Sequence, residues 1–159
     1  MPSIDPDSLS PADRYRLLIS AIVPRPIAWV TSLFPDGSVN AAPFSYFNGV
    51  SSTPPLVSVA VGHRGRIPEG VDRRKDTAIN VARTGELVIN LVPAEAGAAM
   101  VGSSAVSEVA RNGLATVPSE TLATPGLALA RVRLECRVHT LLELPEARTT
   151  LVLARVLRL

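Results

Sequence analysis

Cysteine, aromatic side chains and long apolar runs are all scarce in this sequence, and each scarcity narrows the class of protein. The 159 residues include one cysteine, Cys136, so no intrachain disulfide can form. No apolar run approaches the length of a membrane span. The start, "MPSIDPDSLSPADRYRLL", has no basic region followed by an apolar one, as a signal peptide would. We therefore expect a cytoplasmic protein that does not enter a membrane.

The charge balance also excludes a function class. The formal net charge is +2, which is too small to make nucleic acid the main partner. Hydrophobic residues make up 47% of the chain and charged residues 19%, a composition typical of a globular protein rather than a disordered one. The length suits one domain with a full hydrophobic core, and we expect residues 1–159 to form it.

The motifs of several common sites are missing. His63 and His139 have no cysteine or histidine at ligand spacing, so we expect no metal site. The glycine-rich "VGHRGRIPEG" places Pro68 and Gly70 where a dinucleotide-binding helix would start, which excludes a Rossmann motif. No P-loop is present, and spacing alone supports no Ser–His–Asp triad. No catalytic side chain is therefore predicted.

Strand patterns dominate the chain, and fourteen prolines oppose long helices. "SPADRYRLLISAI" predicts a helix capped by Ser10, and "KDTAINVART" predicts a short helix capped by Asp76 and ended by Gly85. "IAWVTSL", "LVSVAVG", "ELVINLV" and "TTLVLARVLRL" predict strands, and Asp36-Gly37 predicts a hairpin turn that pairs "SVNAAPFS" back. Residues 94–111 are rich in alanine and predict partly helical structure. An antiparallel barrel with flanking helices fits this order of elements best.

"RVRLECRVH" has the clearest alternation and predicts a half-buried strand. The buried face would carry Val132, Leu134, Cys136 and Val138, and the wet face Arg131, Arg133, Glu135, Arg137 and His139. A thiol on the apolar side of a strand is usually inert, which we expect of Cys136.

Residues 37–62 contain no charged side chain, which is unusual for a segment that includes a solvent-facing loop. Within them, "NAAPFSYFNGVSSTPPL" combines hydroxyls and amides with three aromatic rings. Such a loop could form the wall of a pocket for a flat heteroaromatic ring with a polyhydroxyl chain. Alternatively, it is a buried crossover whose hydroxyls satisfy its own backbone.

Two further segments carry candidate binding residues. "RRKDTAIN" gathers Arg73, Arg74 and Lys75 before a helix, and a helix start with a nearby cation can bind a phosphate group. Its alternative is a solvated charge cluster followed by an ordinary capped helix. In "IAWVTSL", Thr31 and Ser32 interrupt an apolar strand, and their alternative is a pair of strand hydroxyls near a sheet edge.

These segments together resemble the flavin reductase-like family, the flavoredoxin-type FMN-binding split barrels. The likeness runs in order over residues 15–159 and rests on "PRPIA", "NAAPFS", the "SS" and "PP" pairs, and "KDT" followed by "TGE" and then by "N". The resemblance implies a mainly β fold with flanking helices, a split β-barrel of the antiparallel Greek-key type. It also implies a homodimer with FMN at the subunit interface. Family members of this type continue beyond their last strand, so this domain is short at its C-terminus.

The resemblance assigns ten residues to the cofactor. Thr31, Ser32 and Leu33 would lie beside the flavin, with their backbone N–H groups and the Asn48 amide tuning the ring. The ring and ribityl chain would be lined by Ser45, Phe47, Asn48, Ser51 and Ser52. Lys75 and Thr77 would hold the phosphate.

The function implied is an FMN-dependent oxidoreductase that transfers a hydride from NAD(P)H to flavin N5 and passes electrons to an acceptor. The cofactor supplies this chemistry, in agreement with the absence of a predicted catalytic side chain. Two alternatives remain: an FMN-carrying electron-transfer protein without its own NAD(P)H activity, and a non-catalytic split-barrel module. Such a module could bind another ligand such as haem, for which His63 is the candidate axial residue.

Overall fold

A computed structural model describes residues 3–65, 67–97, 100, 109 and 113–159 of the chain. Two α-helices lie wholly within the described residues, α1 (Pro11–Ala21) and α2 (Asp76–Thr84), and single 3-10 turns lie at Pro6–Ser8 and Ala94–Ala96. The strands are β1 (Ala28–Leu33), β2 (Val39–Phe44), β3 (Phe47–Ser52), β4 (Pro55–Gly62), β5 (Glu86–Leu91), β6 (Thr116–Val117), β7 (Gly126–Leu127), β8 (Val132–Leu144) and β9 (Thr149–Arg158). Most of the helix predicted over residues 94–111 lies outside the described residues.

Local capping explains where α1 begins and α2 ends. The Ser10 side chain accepts a hydrogen bond from the Asp13 N–H at 3.2 Å, and Pro11 follows at the first helical position. Gly85 ends α2 with φ of 69°, a left-handed conformation that glycine adopts without steric cost. The predicted cap by Asp76 is wrong, because Lys75 holds the N-cap position and Asp76 is the first helical residue.

Seven strands form one antiparallel sheet in the order β2-β1-β5-β8-β9-β4-β3, and β6 pairs with β7 separately. The two edge strands, β2 and β3, follow each other in the chain with only Ser45 and Tyr46 between them. A sheet whose opposite edges are linked by two residues must curl until those edges meet. The curled sheet with two helices confirms the predicted mainly β split-barrel fold.

The predicted pairing of "SVNAAPFS" is confirmed by β2, but the loop predicted between that segment and Leu56 is wrong. The chain forms β2, a tight turn and β3 here, and Pro55 already begins β4. β3 pairs with β4 on one side only, with an irregularity between Gly49 and Ser51. Its last five residues are exposed, so the uncharged segment forms an open sheet edge rather than a buried crossover.

Apolar side chains from six strands and α2 fill the barrel. Fully buried members include Val30 on β1, Val59 on β4, Ile89 on β5 and Val152 on β9. A second cluster forms around Trp29 and contains Leu127, Ala130, Ala41 and Val109. Among the described residues, no helix is long and apolar enough to cross a membrane.

Strand β8 follows the predicted alternation only in its middle. Leu134 and Cys136 are buried as predicted, and Val138 packs against the core. Val132 is instead 41% exposed, and Glu135, predicted on the wet face, is only 7% exposed. The Glu135 carboxylate is covered by residues 120 and 121, which donate hydrogen bonds to it.

Candidate functional site

The first turn of α2 has no side-chain cap. Lys75 occupies the N-cap position with extended backbone, and no side chain accepts a hydrogen bond from the first-turn N–H groups. The Asp76 carboxylate pairs with the Arg64 guanidinium, which balances its charge. The unpaired N–H groups and the helix dipole give this end of α2 a partial positive charge that favours an anion.

A buried polar network lies directly beneath this turn. The Asn40 amide donates to Thr77 Oγ1 at 2.9 Å and to Ser32 Oγ at 3.3 Å. The Asn80 amide donates to Ser32 Oγ at 3.3 Å as well. All four side chains are buried, so the network fixes α2 against β1 and β2. The hydroxyls of the predicted site residues Ser32 and Thr77 therefore already accept hydrogen bonds within the protein.

Thr31 anchors a loop rather than standing free. Its Oγ1 donates to the Pro125 carbonyl at 2.7 Å, and it is fully buried on β1, which lies between the edge strand β2 and β5. Asn90 on β5 completes the anchor. Its amide donates to the Trp29 carbonyl at 2.8 Å, and its Oδ1 accepts from the Leu127 N–H at 2.7 Å. The family motif did include Asn90, as the asparagine that follows "TGE", but it gave this residue no role in the site.

Three of the exposed predicted residues lie together on β3. Asn48, Ser51 and Ser52 are exposed, whereas Ser45 and Phe47 are half-buried and Phe47 packs against the barrel core. The Asn48 Oδ1 accepts a hydrogen bond from the Gly49 N–H at 2.9 Å. The NH2 group of the same side chain takes no part in this bond. This strand therefore presents hydroxyls and an amide without any charge.

Most of the ten predicted residues thus fall into three groups rather than one lined cavity. One group is the exposed edge strand β3, the second is the α2 start with Lys75, and the third is the buried network that joins β1 to α2. Three of the ten belong to none of these groups. Thr31 bonds to the Pro125 carbonyl, Ser45 lies in the turn before β3, and Leu33 contributes a carbonyl that accepts from Arg83 at 2.5 Å. Within the described residues, no group of three or more His, Cys, Asp or Glu side chains could hold a metal ion.

Comparison with known proteins identifies the family. The model of the flavin reductase like domain matches residues 20–159, which is most of the chain. This chain therefore belongs to the flavin reductase-like family, as its sequence motifs indicated.

Three similar proteins show how broad the likeness is. An uncharacterized protein of Halalkalibacterium halodurans is 44% identical over 145 residues, covering 87% of this chain and 66% of its own length. Nitrilotriacetate monooxygenase component B from Bacillus cereus is 35% identical with a TM-score of 0.86, covering 99% of this chain and 80% of its own. The 2-nitrobenzoate 2-nitroreductase NbaA from Pseudomonas fluorescens is 31% identical with a TM-score of 0.87, covering 99% and 75%. The chain spans about two thirds of the length of two curated relatives that it matches.

Proposed function

We propose that this protein binds FMN and transfers a hydride from NAD(P)H to it. The observation that carries the proposal is the uncapped first turn of α2 with Lys75 at its N-cap. A terminal phosphate monoester carries close to two negative charges at neutral pH, more than either phosphate of a dinucleotide. The positive end of α2 therefore favours FMN over FAD as the resident flavin.

The three groups of residues fit the three parts of FMN. Lys75 and the first-turn N–H groups of α2 would bind the phosphate, and Thr77 would hold that turn in place through Asn40. Ser51, Ser52 and the Asn48 amide on β3 would bind the ribityl hydroxyls and the polar ring edge. Phe47 would support the flat ring, since it is fixed in the core and only half-buried.

Once bound, the flavin would supply the redox chemistry by accepting the nicotinamide hydride at N5. The protein would orient the ring and keep water from it, and no side-chain acid or base is required. The names of two relatives support a redox role, because one is a monooxygenase component and the other a nitroreductase. The electron acceptor of this chain could be of either type, a partner oxygenase or a small organic molecule.

We also propose that the protein forms a homodimer. Leu142 on β8 and Leu151 on β9 stand opposite each other on the outer face, and Ala60 on β4 stands next to Leu151. Leu142 is 48% exposed, and Val50 on the neighbouring edge strand is 53% exposed. An exposed apolar sheet face beside an open edge is typical of an interface. A second copy would cover it and enclose the β3 wall.

An absorption spectrum tests the flavin proposal. The protein would be mixed with one equivalent of FMN, separated from free flavin, and then titrated anaerobically with NADH or NADPH. Bound flavin that bleaches supports the reductase. Bound flavin that stays oxidised with both nucleotides would instead support the electron carrier, and protein that retains no flavin would contradict FMN binding.

Sedimentation of the wild-type chain and of Leu142→Glu tests the dimer. We expect a dimer for the wild type and a monomer for the variant, because a carboxylate at an apolar interface loses its hydration. A monomeric wild type at micromolar concentration would contradict the proposal.

A further inference from the structure

A pocket of about 450 Å³ opens beside the end of β4, and three arginines line it. Arg73 and Arg74 come from the loop before α2, and Arg148 comes from the β8–β9 turn. Lys75 and Thr77 do not line this pocket, so it is separate from the first turn of α2. The fold therefore offers a second place for an anion.

The charges in this pocket are unequally neutralised. Arg74 is held by Asp72 through a pair of hydrogen bonds, with Nη2 2.7 Å from Oδ2. Glu143 accepts from the Thr150 hydroxyl at 2.9 Å and lies 3.5 Å from His63 Nε2. Arg73 and Arg148 have no side-chain hydrogen bond or ion pair within the part of the chain that the structure describes. Their two guanidinium groups are the free positive charge of the pocket.

The backbone holds these two arginines in place. The His63 N–H donates to the Arg148 carbonyl at 2.8 Å, and the Arg64 N–H donates to the Arg73 carbonyl at 2.7 Å. Two consecutive residues after β4 thus fix both arginine-bearing loops. The two side chains therefore extend from fixed backbone positions on either side of the pocket.

Arg148 also occupies a backbone conformation that favours glycine. Its φ is +48°, and it is the one non-glycine residue with a positive φ among those the structure describes. Glycine or asparagine is common at such a turn position, and an arginine is unfavourable there. A residue in such a conformation is a candidate functional residue, and the Arg148 side chain lines the pocket.

We propose that Arg73 and Arg148 bind the 2′-phosphate of NADPH and make the protein selective for NADPH over NADH. This inference rests on the proposed reductase function. A phosphate monoester accepts paired hydrogen bonds from guanidinium groups, whereas NADH has a neutral hydroxyl at the same position. Ser58 lies opposite Asn48 of the flavin wall, and His63 follows five residues later, roughly 17 Å along an extended strand. An extended dinucleotide can bridge such a distance.

Calorimetric titration tests the pocket without any hydride transfer. Adenosine 2′,5′-bisphosphate should bind the protein roughly 10- to 100-fold more tightly than adenosine 5′-monophosphate, because charged hydrogen bonds to phosphate are strong. Arg73→Ala and Arg148→Gly should each remove most of that difference. Arg148→Gly also relieves the unfavourable backbone, so it should remain folded. Arg131→Ala, an exposed arginine outside the pocket, is the matched control and should change nothing.

The outcomes separate this inference from the reductase proposal. Equal binding of the two adenosine phosphates, or no binding of either, overturns the assignment even if flavin is reduced. Weaker FMN binding in Arg73→Ala and Arg148→Gly also overturns it, because the pocket would then serve the flavin phosphate. Selective binding without flavin reduction supports the pocket and contradicts the reductase. In steady-state assays of an active protein, kcat/KM for NADPH should fall in both variants while that for NADH stays within about twofold.

Discussion

The Asn40 amide donates a hydrogen bond to Thr77 Oγ1 at 2.9 Å, and this bond joins the edge strand β2 to the start of α2. Asn40 also donates to Ser32 Oγ, which accepts from Asn80 as well. The orientation of the proposed phosphate site therefore depends on a buried network rather than on the exposed loop before the helix.

Replacing Asn40 with alanine should destabilise the protein and weaken FMN binding together. The change leaves the buried Thr77 hydroxyl and Ser32 hydroxyl without one donor, which costs about 1–3 kcal/mol. Urea unfolding measures the loss. Because Asn40 and Asn80 share Ser32, the double variant with Asn80→Ala should lose less than the two single losses combined. Fully additive losses would show that the two amides act independently.

Lys75→Ala should weaken FMN binding while riboflavin binding stays the same, because riboflavin lacks the phosphate. Loss of one charged contact predicts an affinity decrease of roughly tenfold or more. Lys75→Arg keeps the charge and should retain most of the affinity. Lys75 is also the only lysine of the sequence, so bound FMN should protect one side-chain amine from an amine-reactive label. Unchanged FMN affinity in Lys75→Ala would exclude its phosphate role.

The structure predicts a loss of stability in acid that depends on Glu135. Burial raises the pKa of this carboxyl. Hydrogen bonds from the Thr121 hydroxyl and from the backbone N–H groups of Glu120 and Thr121, with the nearby Arg158 charge, lower the pKa by more than burial raises it. The net effect is a lowered pKa. Because the pKa of Glu135 is lower in the folded state than in the unfolded state, its ionised carboxylate stabilises the fold. This stabilisation is fully present at a pH above the pKa of an unfolded glutamate, roughly 4.3. The stabilisation by Glu135 should disappear as the pH falls from roughly 4.3 through the lower pKa of the folded state.

Unfolding free energies between pH 3 and 7 check this dependence. Glu135→Gln should be less stable at neutral pH and should lose less stability on acidification than the wild type. Glu146→Gln, at an exposed residue of the β8–β9 turn, is the control and should follow the wild-type curve. Parallel curves for wild type and Glu135→Gln would exclude Glu135 as the source of acid sensitivity.

Cys136 should be unreactive in the native protein. Burial, with a smaller effect of the Glu135 charge, raises the pKa of its thiol to about 12, so almost no thiolate exists at pH 8. A chromogenic disulfide reagent should therefore react with the Cys136 thiol and develop colour only when the chain unfolds. Labelling rates that rise with urea in step with global unfolding fit this expectation. Rapid labelling without denaturant would mean that β8 opens locally.

Local sequence signals predicted much of the fold. Ser10 and Gly85 defined helix ends because capping depends on a few neighbouring residues. Asp36-Gly37 predicted the β1–β2 hairpin for the same reason, and Gly37 indeed has φ of 83°. The prediction failed where distant segments decide the environment. Glu135 looks solvated by alternation alone, and only the folding of residues 120 and 121 onto it makes it a buried acceptor.

The sequence predicted only part of the candidate site, again because distant segments decide which side chains come together. The missing charge over residues 37–62 did mark an unusual surface, but it could not distinguish a loop from an exposed edge strand. The family resemblance selected Ser32 and Thr77 without indicating that their hydroxyls are buried in one network. Asn40 and Asn80 escaped notice because a buried amide is recognisable only once its partners are placed.

The turn between β2 and β3 connects the two edge strands of the sheet. Ser45 and Tyr46 are the only residues that separate the first strand of the sheet order from the last. A cut at this turn would free both margins of the barrel, while the pairings among β1, β5, β8, β9 and β4 would stay unbroken. New chain ends introduced there would let the two edges separate, and the proposed flavin wall on β3 would move with one of them.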